Sequence, residues 1–218
     1  MKGLIFDLDG TLLDSMPSWG RQLDDLLTAR GITPPSDLLD RTKTLGLEMA
    51  TSMVLQEFGL HDDPAVVYQQ FQDNMAALYC GTIPLKPGVR AFLDDMYAKD
   101  VPMAVATATS RILVEKVLAY HQLTDYFQSI TTVVEVGIGK HDPRIFLTAA
   151  GKLGLPPQQC VVFEDSLKAV RSANRAGFQT VAIYEETNPV EQNDLVQEAD
   201  LYIHDFRNLA IPHDDMLE

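Results

Sequence analysis

The chain has 218 residues, 46% of them hydrophobic, with 17 basic against 31 acidic side chains and a formal net charge of −14. That size and apolar content suit one large domain, or one domain with a smaller one inserted, and the negative balance argues against nucleic acid or an anionic membrane surface as partner. A small phosphorylated molecule stays admissible, because a metal ion and one or two placed cations can bind it locally.

The first element is the run "GLIFDLDGTLLDS" at 3–15. No charged leader, long apolar stretch or cleavage site comes before it, so a cytoplasmic location is expected. The run ends in Asp7 and Asp9. If strand geometry persists there, both carboxylates point to one side and repel, which calls for a compensating cation. From 14 to 82 the strand rhythm is missing, and "WGRQLDDLLTARG" and "LEMATSMVLQEFGL" have helical character. "TPPSD" at 33–37 and "HDDP" at 61–64 read as turns before helices. Residues 14–82 are therefore expected to form a helical insertion in an α/β core made of 1–13 and 83–218. Met49, Met53 and Leu55 read as core of that insertion, while Asp24, Asp25, Asp94 and Asp95 read as solvated helix faces.

"PLKPGVRAFLDDM" returns the chain to the core, with Pro87 and Gly88 opening a helix. Four further apolar runs follow: "VPMAVAT" at 101–107, "SITTVV" at 129–134, "CVVFED" at 160–165 and "QTVAIY" at 179–184. Each is nearly continuous rather than alternating, as in parallel strands covered on both faces. Between them "RILVEKVLAYHQL" puts Leu113, Val117 and Leu118 on one side, and "DPRIFLTAAGKLGL" runs from an Asp-Pro start to Gly154. The alternation predicts a doubly wound, mostly parallel sheet. The end, "IPHDDMLE", reads as a loosely held acidic tail. Cys80 and Cys160 lack metal-ligand spacing and read as reduced thiols.

Ligands of such sheets collect beyond the carboxyl ends of the strands. That rule selects Asp7 and Asp9, the stretch Thr107 to Ser110 with Ala108 in it, Lys140 after "GIGK", and Glu164 with Asp165. Mg²⁺ favours oxygen ligands, usually one or two carboxylates with water and phosphate oxygens, and Asp7 and Asp165 suit it. An ionised Asp7 can attack phosphorus to form an aspartyl-phosphate, with Asp9 carrying the proton to the leaving alcohol and later from water. Lys140, the Thr107 hydroxyl and N–H groups at the following helix start can hold the phosphoryl oxygens. Taken singly, each signal has a plain reading: a turn, a solvated lysine, a helix cap. Their coincidence at the strand ends along one sheet edge carries the functional one.

These motifs also carry a resemblance. "FDLDGTLLDS", "VATATS", the lysine of "GKHDPRIF" and "VVFEDS" resemble, in order, the four motifs of the haloacid dehalogenase-like superfamily, in its β-phosphoglucomutase and phosphoglycolate phosphatase-like branch with a helical cap. The resemblance implies a Rossmann-like core with that cap inserted after the first strand. It implies Asp7 as nucleophile, Asp9 as general acid/base with its carbonyl on Mg²⁺, Thr107, Ala108 and Lys140 as phosphate binders, Asp165 as metal ligand and Glu164 as a partner of the metal through water. The chain departs from the branch pattern at His141, Asp142 and Arg144, and at Ala169, where a glycine is common. The β-phosphoglucomutases have a histidine at the position of Trp19, and near Leu47 an arginine that holds a second phosphate. Both are missing, which favours hydrolysis over a mutase, and Asp9 argues against the metal-free dehalogenase branch. The expectation is a Mg²⁺-dependent phosphatase of small-metabolite phosphomonoesters, sugar phosphates first. A phosphomutase or a catalytically weak phosphate-binding regulator are the alternatives. Ser15, Trp19 and His141 are candidate substrate contacts, and the sequence leaves the substrate and the oligomeric state open.

Overall fold

The computed structural model describes residues 2–42, 45, 47–207 and 209; the acidic tail 211–218 lies outside them. Six parallel strands form one sheet in the order β3-β2-β1-β4-β5-β6: β1 (Gly3–Phe6), β2 (Met103–Thr107), β3 (Ser129–Thr132), β4 (Cys160–Glu164), β5 (Gln179–Ile183) and β6 (Leu201–Ile203). The chain winds outwards from β1 through β2 to β3, then crosses back to β4 and winds the other way. The switch point lies between β1 and β4, where Phe6 is in register with Phe163, so the crevice for a ligand opens beyond these two strands.

Both sheet faces are buried, as the continuous apolar runs require. Leu4, Phe6, Val105, Val161 and Phe163 face α5 (Val89–Ala98) and α6 (Arg111–Tyr120), whereas Ile5, Ala104, Ala106 and Val162 face α8 (Arg144–Leu153) and α9 (Leu167–Arg175). The small residues on the second face let those helices approach closely. On the first face the Phe6 and Phe163 rings stack at 4.6 Å between centroids. Ala169 is fully buried against the second face, in keeping with a packing role.

Between β1 and α5 the described residues form four helices: α1 (Met16–Thr28), α2 (Leu38–Thr42), α3 (Leu47–Glu57) and α4 (Pro64–Tyr79). They share an apolar cluster of their own, which includes Leu23, Leu27, Val54, Val67 and Phe71. The "HDDP" turn does what its composition suggests: Asp63 caps α4, accepting the Ala65 N–H at 2.9 Å, and Pro64 opens the helix. The outgoing and returning chains are paired where they cross. Leu13 bridges Leu85, Asp14 N–H donates to the Pro84 carbonyl at 3.0 Å, and Lys86 N–H donates to Leu12 at 2.9 Å. The buried Lys86 ammonium then ties this crossing to Glu185, after β5, at 2.7 Å.

Several expectations are corrected. β1 stops at Phe6, so Asp7 and Asp9 are not alternate residues of one strand; a tight loop follows, in which the N–H groups of Leu12 and Leu13 both donate to Leu8. β3 ends at Thr132 because the Thr132 hydroxyl accepts the Glu135 N–H and starts the short helix α7 (Val133–Val136). Met49 is 38% exposed, on the outer side of α3, while Leu55 is buried and Met53 packs partly against the helical cluster. The short edge strand β6, reached through α10 (Gln192–Glu198), has no continuous apolar run to mark it in the sequence.

Candidate active site

Four strand ends and the helical segment line a cavity that opens to solvent. Asp7, Asp9, Thr107, Ala108, Lys140, Glu164 and Asp165 all line it, as does Trp19. Ser15 is fully buried and turns its hydroxyl to Asp9 rather than to the cavity. His141 is exposed and absent from the cavity wall, and its carbonyl accepts a bond from Arg175.

At the floor, Lys140 bridges two carboxylates. Its ammonium lies 2.6 Å from Asp7 Oδ1 and 2.5 Å from Glu164 Oε1, and all three groups are buried. Glu164 Oε2 accepts the backbone N–H groups of Asp165 and Ser166 at 3.0 and 3.1 Å. Glu164 thus fastens both Lys140 and the loop that carries Asp165. Burial pushes the Asp7 carboxyl up to about 7, with the attraction of Lys140 opposing it and the repulsion of Asp9 adding only a minor share. Burial likewise raises Glu164. For Lys140 burial alone would act downwards, but the charges of Asp7 and Glu164 outweigh it and hold the ammonium protonated.

The cluster fits a hard divalent cation. Carboxylate oxygens of Asp7, Glu164 and Asp165 lie within 4.8 Å of one another. With all three carboxylates ionised and Lys140 counted, the formal charge is 1 − 3 = −2 in a buried place, which a divalent ion would neutralise. The donors are all oxygen, as such ions prefer. Ser166 Oγ, also on the cavity wall, is buried without a protein partner. The loop is shaped around Asp165: Gly10 has φ +80, and a Cβ there would lie 2.5 Å from Asp165 Oδ2. Thr11 Oγ1 donates to the other carboxylate oxygen at 3.3 Å. Any side chain at position 10 would displace this carboxylate.

Asp9 stands apart from that cluster. Its Oδ1 accepts from Ser15 Oγ at 2.6 Å and from the Tyr79 hydroxyl at 2.5 Å, and its Oδ2 accepts from Thr109 Oγ1. The indole N–H of Trp19 donates in turn to Tyr79 at 3.1 Å. Thr107 Oγ1 accepts the Thr109 N–H at 3.1 Å, and α6 starts only at Arg111, so a three-residue loop rather than the helix start itself follows Thr107. Tyr79 and Ser166 were not singled out from the sequence. Tyr79 lies 70 residues from Asp9 at the end of α4, and nothing in its spacing points to the first strand.

The chain matches the haloacid dehalogenase-like hydrolase family model over residues 1–177. It belongs to that family. Among curated relatives, hexitol phosphatase B of Escherichia coli (strain K12) is 30% identical over 196 residues, covering 87% of this chain and 85% of that protein. Hexitol phosphatase A of the same strain is 29% identical over 223 residues, covering 99% and 98%. The crystal structure of CbbY from Rhodobacter sphaeroides in complex with phosphate superposes with a TM-score of 0.81 at 24% identity, covering 96% of each chain. Like these proteins the chain is built on the doubly wound hydrolase fold. No helix among its described residues is long and apolar enough to cross a membrane.

Proposed function

We propose that this hydrolase cleaves phosphomonoesters of small metabolites, sugar phosphates foremost, through a phosphoryl group carried on Asp7 with Mg²⁺ as cofactor. The observation that carries the reading is Asp7 at the end of β1, held 2.6 Å from Lys140 beside Asp165 at the floor of the cavity. The names of the curated relatives, hexitol phosphatases A and B and fructose-1-phosphate phosphatase of Escherichia coli, support the substrate class. We assign 1–13 and 83–218 to the catalytic core and 14–82 to a cap over it.

Asp7, Asp165 and the Asp9 carbonyl would hold the Mg²⁺, which supplies charge neutralisation for the buried carboxylates and the phosphoryl oxygens. Asp7 Oδ attacks phosphorus; the bond from phosphorus to the ester oxygen breaks as the Asp7 acyl-phosphate bond forms. Asp9 gives its proton to the departing alkoxide, then takes one from a water that attacks the same phosphorus and frees Asp7. Lys140, the Thr107 hydroxyl and the Ala108 loop bind the equatorial oxygens, where charge accumulates. Glu164 keeps Lys140 in position. The wall of helices α1 to α4 excludes bulk water during the first step.

Two outcomes follow. Tyr79→Phe removes one hydroxyl from Asp9 and is expected to lower kcat by about 10-fold with little change in KM, since a hydrogen bond to a charged group is worth roughly 1.5–3 kcal/mol and two others remain; steady-state kinetics on one phosphomonoester checks it. The cation needs Asp7 ionised, and burial keeps that carboxyl protonated up to about pH 7, so metal affinity rises with pH until about 7 and falls below it. Calorimetry should find Mg²⁺ binding about fivefold weaker at pH 6 than at pH 7, with proton release on binding. The function itself is tested by phosphate release from a panel of phosphorylated metabolites, with Mg²⁺ and with chelator. Isomer formation that depends on traces of bisphosphate would mark a mutase instead, and binding without turnover a regulator.

A further inference from the structure

Helix α4 belongs to two cores at once. Its buried stripe is Val67, Phe71, Met75 and Tyr79, each four residues after the last and so on one helix face. Val67 and Phe71 pack within the helical segment's own cluster. Met75 and Tyr79, both fully buried, pack instead with the first face of the sheet, in the cluster that holds Leu8, Leu12 and Phe92. Trp19 of α1 packs against both clusters. Polar ties follow the same division. Asn74 Nδ2 donates to Gln22 of α1 at 3.1 Å, whereas the Gln72 side-chain oxygen accepts from Ser110, in the loop after β2, at 2.5 Å, and the Tyr79 hydroxyl donates to Asp9.

The two halves of the helix move together or not at all. α4 has 16 residues, about 24 Å of helix, and after Pro64 at its first position it contains neither proline nor glycine, the usual sites of a sharp bend. Lifting α1 to α4 as one body off the sheet would pull Met75 and Tyr79 out of the core. Each large side chain exposed in this way lowers the lifted population by about tenfold to a hundredfold, and the ties to Ser110 and Asp9 would be lost as well. We infer that α4 is a strut that keeps α1 to α3 docked on the sheet with or without ligand. The boundary between the two packing units then runs inside α4, between Phe71 and Met75, rather than where the chain returns to the core at 82/83. The cavity opens to solvent with the strut in place, so a ligand enters through that mouth without lifting the helices, and Tyr79 stays on Asp9 as it does so.

Amide hydrogen exchange of the full chain without ligand tests it. The amides of 75–79 are expected to match the protection of those in β1 to within about tenfold, because both open only when the core does. Met75→Ala should speed exchange in β1 and in 75–79 together, by about tenfold or more. Less protection at 75–79 than that, or an acceleration by Met75→Ala that leaves β1 unchanged, overturns the strut. A distance between two spin labels, read in the free protein and again with Mg²⁺ and inorganic phosphate, supplies a second arm. The labels go on Met49→Cys of α3 and Leu147→Cys of α8, both exposed, in a chain whose exposed Cys80 is replaced by serine. One population that shifts by less than about 2 Å is expected; two populations, or a larger shift, overturns the strut. Neither arm depends on turnover, so failure of the phosphatase reading would leave the strut standing.

Discussion

Asp7→Asn is expected to abolish Mg²⁺-dependent phosphate release, with kcat falling by on the order of 10⁴-fold or more, the scale on which loss of a covalent nucleophile acts. The shape of the side chain survives, and its amide oxygen can still accept from Lys140, so the fold should persist. What disappears is the nucleophilic oxygen, because a neutral amide is too weak a base to attack phosphorus. The variant also removes a carboxylate that is costly to ionise where it is buried, so without metal it should be at least as stable as the parent. Loss of turnover at unchanged or raised stability is the pattern that separates a chemical role for Asp7 from a structural one. Turnover near the parent rate would remove Asp7 from the mechanism.

Lys140→Met should lose both activity and stability. Lys140 is 2% exposed and is the ammonium shared by Asp7 and Glu164; without it two carboxylates remain buried with no cation between them. Breaking a buried ion pair by deleting one partner costs about 3–5 kcal/mol. The deficit has a pH signature. Both carboxyls already have raised proton affinities through burial, and losing Lys140 raises them further. A group whose folded pKa is raised stabilises the fold at low pH, where it is protonated, and that contribution is lost as pH rises through the folded value. The stability gap between variant and parent should therefore be small near pH 5 and widen through pH 7 and above, as read by urea denaturation at several pH values. Added Mg²⁺ should narrow it. A small, pH-independent gap would mean that Lys140 does not neutralise these carboxylates.

Much of the architecture was legible because parallel strands covered on both faces leave a plain mark. The runs around Val105, Val162 and Val181 are nearly all apolar, and each turned out to be a strand. The helix termini were legible for a local reason too: Asp63 with Pro64, and Gly154 at φ +71, act within a few residues of chain. What escaped was non-local or marginal. β6 is three residues long at a sheet edge and only partly buried, so it lacks the apolar continuity that marked the others. The strand "SITTVV" was read two residues too far, because the choice between continuing the strand and capping a helix at Thr132 turns on one hydroxyl.

The candidate site divides the same way. Asp7, Asp9, Lys140, Glu164 and Asp165 sit at strand ends that chain order and topology predict, and they line one cavity. Their pairings were not predictable from position. Glu164 binds Lys140 and two N–H groups, and Asp9 is held by hydroxyls from Ser15, Tyr79 and Thr109, which come from three separate parts of the chain. The two acids of "FDLDG" repel less than their spacing suggested, because the strand ends before both of them and each has its own partners.

The central claim, that the transferred phosphoryl group rests on Asp7, is tested most directly by acid-quenching the enzyme during turnover with Mg²⁺ and mapping the phosphorylated peptide by mass spectrometry. The account predicts one phosphoryl group on the peptide containing Asp7, labile to hydroxylamine as an acyl phosphate is, and absent from Asp7→Asn. A phosphoryl group on another residue, or none at any quench time while phosphate is released at full rate, would contradict it.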